Sequence, residues 1–448
     1  MRQKTKLFCL LFIASLVMNA QQKKYTFSLQ EAIQFALDSS YTALNANKEV
    51  AKALKQKWET TAIGLPQING EATYTNQLKQ PVSLIPAEIT GGPAGTFIPV
   101  IFGVEQQTSL TATLSQLIFD GSYLVGLEAA SVFVDYTNTQ KESQDLKIIE
   151  GITNAYGAVL LTQESINVLN RNISNLESNL NETQKIYENG LGEEESVEQL
   201  QITLLQVKNQ LNNTQRTEDI AVKMLKLALG IPIESELLLT DNLESIATIK
   251  ATSDTAFKPF NIIGNNNFKL SELLVEQRRL EFKLQKAKRL PSVGAFVNLG
   301  TTAFRQGFNF LDSDQRWFAS SVLGASVKVP IFTSFKNSAS TKKAKLAYQQ
   351  AQISHTENTE RIQLGYKQAK SNYEFAIDNL NTLKQNLALA ERIEKKNQIK
   401  FNEGLASSFE LRQAQTQLYS AQQQYLQAQL KVIKDNATLQ SILNVFNL

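Results

Sequence analysis

The chain carries two proline-free stretches of nearly equal length, each flanked by the same short motifs. Leu117-Ile118-Phe119-Asp120 recurs as Pro330-Ile331-Phe332-Thr333, and Tyr187-Glu188-Asn189-Gly190-Leu191 recurs as Phe401-Asn402-Glu403-Gly404-Leu405, displaced by 213 and 214 residues. Phe119 stands 71 residues before Gly190, and Phe332 stands 72 before Gly404. Upstream, Leu65-Pro66-Gln67-Ile68 recurs as Leu290-Pro291-Ser292-Val293. Matched spacing means one structural unit present twice in tandem. Residues 337–400 alone would make a helix roughly 95 Å long at 1.5 Å per residue, where an ordinary globular helix has about 11–12 residues.

Apolar residues step through both stretches by threes and fours. Ile166, Leu169, Ile173, Leu176 and Leu180 lead to Thr183 and Tyr187, and Val197, Leu200, Leu204, Val207 and Leu211 lead back. In the second copy, Tyr366, Ala369, Tyr373, Ala376, Leu380, Leu383, Leu387 and Ala390 run down, and Leu411, Ala414, Leu418, Ala421, Tyr425, Ala428 and Val432 return. A period near 3.5 is that of a coiled coil, so each stretch is expected to be a long antiparallel helical hairpin around a short glycine turn. The return arms are too short to match their partners. Residues 193–229 cover little more than half of 122–188, and 29–63 supply the remainder; 409–447 and 266–289 together match 337–400. Breaks at Pro232 and Pro259 are expected to form a belt between the halves.

Arg2, Lys4 and Lys6 precede an apolar run from Leu7 to Met18, then Asn19-Ala20 and a polar stretch, the layout of a secretory signal peptide. Cys9, the single cysteine, lies inside it, so the mature chain is expected to be cysteine-free and unlipidated. No later run approaches the ~18 consecutive apolar residues of a spanning helix. The formal charge of +3 is too near neutral to point to nucleic acid.

Two regions interrupt the helices with alternating residues. Ile68, Gly70, Ala72 and Tyr74 alternate with polar neighbours in 67–76, and Leu110, Ala112 and Leu114 do so in 108–115. The second copy has Val293, Ala295, Val297 and Leu299, then Leu323, Ala325, Val327 and Val329. In a secreted chain, such pairs fit transmembrane β-strands; the alternative is a small soluble sandwich. Each pair brackets a loop: 79–106, with Pro81, Pro86, Gly91-Gly92-Pro93 and Pro99, and 304–317, whose Phe304, Phe308, Phe310 and Trp317 suit an interfacial aromatic girdle. Four strands cannot close a barrel, and an open edge is not tolerated in lipid, so several chains must pool strands.

Catalysis finds no support. His355, the sole histidine, lies on a polar helix face and reads as a surface residue. There is no Cys/His cluster for zinc and no Gly-rich phosphate loop. Asp312 and Asp314 read as a solvated loop rather than a cation site. The chain is expected to be no enzyme, with no metal and no cofactor.

The order, duplication and spacing of these motifs resemble the TolC family of outer-membrane efflux and secretion channels over nearly the whole mature chain. The resemblance rests on Leu65-Pro66-Gln67, on Leu117–Gly121, and on both hairpin tips, including Phe401–Leu411 followed by Ala414, Leu418, Tyr419 and Ala421. It implies a mainly α fold with a transmembrane β part: a homotrimer whose 12-stranded β-barrel continues into an α-helical barrel crossing the periplasm. The implied partners are outer-membrane lipid, a periplasmic adaptor protein and an inner-membrane pump. The implied function is the exit duct of a tripartite efflux or type I secretion system. A periplasmic coiled-coil adaptor without conduction is the alternative, and it needs no lipid-facing strands.

The expected division is a signal peptide (1–20), the N-terminal helix of repeat 1 (21–64), strand pair 1 with its extracellular loop (65–119) and hairpin 1 (120–230). An equatorial linker (231–262), the helix of repeat 2 (263–289), strand pair 2 with its loop (290–332) and hairpin 2 (333–448) follow. The family's gate tyrosine falls on Phe401 and its arginine on Ala406, while the two constriction aspartates fall on Glu410 and Gln413. Acidity returns at the first tip as Glu193, Glu194, Glu195 and Glu198, either an entrance ring or a solvated run favouring a helix N-terminus. Gly190, Leu191, Val197, Gly404, Leu405, Ser408 and Leu411 are the expected adaptor-docking residues.

Overall fold

The computed structural model describes residues 24–252 and 259–444. The expected signal peptide and Cys9 lie outside the described residues. The chain forms two compact units, each discontinuous in sequence: one takes Lys52–Asp135 and Leu273–Ile353, the other the chain up to Ala51, Tyr136–Glu272 and Ser354 onward.

The unit of Lys52–Asp135 and Leu273–Ile353 is built on a four-stranded antiparallel sheet. Its strands are β2 (Gln67–Asn76), β5 (Gln106–Asp120), β7 (Ser292–Arg305) and β8 (Trp317–Lys328), paired in that order. Side chains alternate faces along a strand, so the register decides whether the apolar sets of separate strands coincide. They do. Ile68 lies opposite Leu114, Leu114 opposite Val297, and Val297 opposite Leu323. Two rungs along, Ala72 faces Leu110, and Val293 faces Val327. The other face carries Asn69, Glu71 and Thr73 opposite Thr113, Thr111 and Ser109, then Asn298 and Thr302, and is polar along β2 and β5, while β7 and β8 add Phe296, Val322 and Phe318 to it. Strands β2 and β8 are the sheet edges, and β2 is exposed along its whole length.

The segment 79–106, expected as a loop, folds instead around a second antiparallel pair, β3 (Val82–Pro86) and β4 (Phe97–Ile101). Pro86 and Pro99 hid it, because proline argues against a strand except at an edge or end. The expected aromatic girdle is partly a cluster: Phe308 and Phe310 pack on Tyr74 at ring distances of 5.3 and 6.0 Å. Asp314 pairs with Arg305 at 2.7 Å, across the short connection between β7 and β8. Beside the sheet, Val125, Leu280 and Ala287 form a small core, with Glu128 held by Arg279 and Lys283.

The other unit carries most of the helix. The residues 21–64 are not one helix: β1 (Lys24–Phe27) precedes α1 (Leu29–Ser39) and α2 (Tyr41–Ala62), which part at Ser40. The linker 231–262 likewise contains β6 (Glu236–Leu239) and α5 (Leu243–Ala251). Strands β1 and β6 pair in parallel, with Tyr25 opposite Leu237. Four-residue strands from opposite ends of a repeat have no local signal, since their partner is over 200 residues away. Asp241 ties them in: its Oδ2 accepts from the Leu29 amide at 2.7 Å and lies 3.0 Å from the Tyr156 hydroxyl. Tyr156 is fully buried among Ile33, Ile152, Val159, Leu225 and Leu229.

Four long helices make the hairpins: α3 (Gly121–Glu188) with α4 (Glu194–Leu229), and α7 (Lys336–Asn402) with α8 (Ser408–Leu443); α6 (Asn266–Ala287) is the shorter helix of repeat 2. The expected seams close, with Ile173 and Leu176 packed on Leu200 and Leu204, and Tyr373, Ala376 and Leu380 on Ala428 and Val432. His355 is half-buried rather than on the surface, its Nδ1 2.8 Å from Ser271 Oγ and its ring on Phe268. No described helix is long and apolar enough to cross a membrane.

Candidate functional site: the paired hairpin tips

Both hairpins reverse through the same backbone device. Gly190 and Gly404 sit at φ +74° and +72°, in the left-handed region that glycine enters without a Cβ clash. At the first tip, Leu191 N–H donates to Ile186 O at 3.0 Å and Gly190 N–H to Tyr187 O at 2.8 Å. At the second, Leu405 N–H donates to Lys400 O at 2.7 Å and Gly404 N–H to Phe401 O at 3.0 Å. This paired bonding closes the last carbonyls of a helix, and the glycine at its centre explains the repeated Asn-Gly-Leu and Glu-Gly-Leu letters.

The return helices start differently. Ser407 caps α8: Glu410 N–H donates to Ser407 Oγ at 3.3 Å, and Ser407 N–H donates to Glu410 Oε2 at 2.8 Å. The Ser407 amide, then its hydroxyl, hold the Glu410 carboxyl below the usual carboxylate range. Glu410 is therefore engaged in its own helix start, though its position remains exposed at the tip. Gln413, one turn on, is exposed. At the first tip Glu193 caps α4 without a side-chain bond, and Glu194 and Glu195 occupy the first turn. Glu195 accepts from Gln199 Nε2 at 2.6 Å, and Glu198 stays exposed.

The two tips touch through polar residues near the starts of the two return helices. Ser196 Oγ lies 2.7 Å from Ser408 Oγ, and the Arg412 guanidinium donates to Gln199 Oε1. Farther from the turns, Asn179 and Gln398 exchange side-chain amide bonds at 3.0 and 3.1 Å, and Asn172 donates to Gln422 at 2.9 Å. Between the tips lies a cleft of about 480 Å³ lined by Leu191, Glu195, Phe401, Ala406, Ser408 and Phe409, among others. Phe401 is buried, so the residue at the family's tyrosine position supplies packing where a hydroxyl is expected.

Two of the expected docking residues lie inside the hairpins. Val197 and Leu411 are buried, because the 3–4 step of the apolar seam continues into the first turn of each return helix. The exposed apolar groups at the tips are Leu191 (81%), Leu405 (73%) and Phe409 (58%). Phe409 falls off the seam period, and that was its readable signal. The cross-tip polar residues Ser196, Gln199, Asn179 and Gln398 escaped sequence reasoning, because the repeat displacement at the tips matches Ser196 to Glu410 and Gln199 to Gln413 and so gives no sign of these contacts. So did Glu394, a half-buried acid on α7 facing Gln415 and Tyr419. Burial pushes the Glu394 carboxyl up, and burial with that neighbouring acid pushes the Tyr419 hydroxyl up. The Gln415 amide is fully buried and closes no hydrogen bond of good geometry among the described residues, although it lies near enough to Glu394 to favour its ionised form slightly.

The fold has known counterparts. The outer membrane protein VceC of Vibrio cholerae superposes with a TM-score of 0.71 at 17% identity, covering 93% of this chain and 95% of that one. The outer membrane channel CmeC of Campylobacter jejuni gives 0.73 at 14% identity, covering 93% and 85%. In sequence, the chain is 21% identical over 288 residues to the alkaline protease secretion protein AprF of Pseudomonas aeruginosa, a match covering 61% of this chain and 58% of AprF's length. The pattern shared by outer membrane efflux proteins matches residues 32–231 and 263–445, one stretch for each repeat. With a TolC-like fold and both repeats matched, the chain belongs to the outer membrane efflux protein family.

Proposed function

We propose that the chain is the exit duct of a tripartite efflux or type I secretion system, conducting substrates passively from a periplasmic pump assembly to the outside. One observation carries this reading: Ile68, Leu114, Val297 and Leu323 stand in register across four strands on one face, opposite a face that is polar along β2 and β5, while the sheet has two free edges. Such a sheet suits lipid on one side and water on the other, once its edges are paired. Three chains pooling four strands each give a twelve-stranded barrel, with β2 of one protomer beside β8 of the next. A non-conducting adaptor would have no use for a registered apolar face.

In this reading the tips face the periplasmic pump. Leu191, Leu405 and Phe409, with Ser408 beside them, form the adaptor-docking surface, and Gly190 and Gly404 hold its shape. Glu410, aided by Glu194, Glu195 and Glu198, forms an acidic entrance, and charged rings select ions by sign. Phe401 and Ala406 leave the family's tyrosine–arginine latch unbuilt; the cross-tip pairs Ser196–Ser408 and Gln199–Arg412 hold the tips together in its place. The test is outer-membrane fractionation with heat-modifiable migration on gels, followed by recording in planar bilayers. Recovery in the outer membrane with discrete conductance is expected; a periplasmic, non-conducting product would overturn the reading in favour of the adaptor.

A further inference from the structure

The hairpin β3–β4, at the end of the sheet away from the α2–β2 junction, carries an apolar face that none of the described residues covers. Its register sets Val82 opposite Ile101, Leu84 opposite Pro99 and Pro86 opposite Phe97, all on one side. Leu84 is 66% exposed and Phe97 62%, with Val82, Ile89, Ile101 and Phe102 also exposed. No charged residue occurs in 82–86 or 97–102. A two-stranded hairpin is marginal in water by itself, and a contiguous apolar patch marks an interaction surface.

The face is held in shape without a partner. Ala87 N–H donates to Thr96 O and Gly92 N–H to Ala87 O, both at 2.9 Å, and Gly95 N–H donates to Glu88 Oε1 at 2.9 Å. Gly92 lies so close to Ala87 that an added Cβ would stand 2.8 Å from the alanine methyl. A surface ordered in advance loses less entropy when it docks.

Three features select the occupant. Strand β2 has 10 residues, and a membrane-crossing strand needs about 9–11. The hairpin that follows it therefore lies beyond the hydrocarbon, among headgroups that an uncharged apolar face does not match. Strand β2 is also a fully exposed edge, so the hairpin leaves the sheet beside the seam where a neighbouring chain must pair. Finally, a second copy offers apolar groups at that same end, in the exposed Phe308 and Leu311 of the β7–β8 connection. We infer that the β3–β4 face packs against a second copy of this chain, so that neighbouring protomers cover one another's hairpins at the outer mouth. The inference rests on the shared-barrel reading above.

Single cysteines test it in a full-length Cys9→Ser background, which otherwise lacks cysteine. Leu84→Cys and Phe97→Cys report the face, and Ala94→Cys, at the exposed end of the hairpin, is the reference. Each purified oligomer is treated with a water-soluble maleimide in detergent and in lipid vesicles, before and after heat dissociation. Expected is labelling at 84 and 97 several-fold slower than at 94 in both media, with the difference lost on dissociation. Equal rates at all three sites in an intact oligomer would overturn the inference while leaving the barrel reading standing. Protection in vesicles but not in the detergent oligomer would assign the face to lipid, which also overturns it. Migration of the unheated protein as a monomer would sink the barrel reading, and this inference with it, by a separate readout.

Discussion

At the tip of the second hairpin, one carboxylate is held down and another pushed up, and the two respond oppositely to pH. The Glu410 carboxyl is lowered by Ser407, so its contribution to stability is present above the ordinary carboxylate range and is lost as pH falls through its folded value. Ser407→Ala should cost about 1 kcal/mol of cap stability at neutral pH and shrink that acid step without removing it, because the residue 407 amide still donates to Glu410; Glu410→Gln should abolish the step, as hydrogen exchange in the first turn of α8 would report. Glu394 is raised by burial, so the folded chain favours its protonated form: that stability is present at low pH and lost as pH rises through the raised value. Glu394→Gln should therefore raise the melting temperature at neutral pH and leave it unchanged in acid. A variant equally shifted at both pH values would mean that burial of the charge is not the cause. Gly404→Val forces a branched side chain to φ +72°, a strain of roughly 1–2 kcal/mol; it should abolish export without preventing membrane insertion. Unchanged export would argue against docking at the tips.

Between elements, polar side chains join the repeats where the seams of each hairpin stay apolar. Asn179 and Gln398 satisfy each other's amides across α3 and α7, with Asn179 buried and Gln398 half-buried. Asn179→Ala removes both cross-repeat bonds and leaves Gln398 only its own-helix bond to Asn402, so it should cost about 1 kcal/mol; faster proteolysis at the tips, with the sheet unaffected, is the expected outcome. In the sheet, Ala72 lies on the registered apolar face, opposite Leu110. Ala72→Arg should destabilise the assembled barrel by about 2–4 kcal/mol if it stands near mid-bilayer, measured as a lower temperature of heat-modified migration. No change would place that face against water.

For the whole molecule, free edges at β2 and β8 make the single chain incomplete, since an unpaired strand edge in hydrocarbon leaves backbone groups unsatisfied. A trimer is expected in detergent; a stable, folded monomer would contradict the shared barrel. Threefold assembly would also turn Glu410 into a ring, and Glu410→Gln should then reduce cation selectivity in single-channel recordings. Identical selectivity in the variant would leave Glu410 as a helix cap and nothing more.

Periodicity was legible wherever it was long. Helices of 68 and 67 residues repeat their apolar step many times, and strands of ten or more residues show their alternation, so the sequence alone determined the duplicated hairpins, the two strand pairs and the glycine turns. Proline masked β3 and β4, and four residues were too few to reveal β1 and β6. Only the tertiary structure decided the register that merges four apolar sets into one face. It also decided that Val197 and Leu411 turn inward while Phe409 stays out, and that Ser196 meets Ser408 across the repeats. Those outcomes depend on contacts between residues as much as 250 positions apart in the chain, as Asn172 and Gln422 are, and pairing at that distance is set by packing geometry, on which local residue preference has no hold.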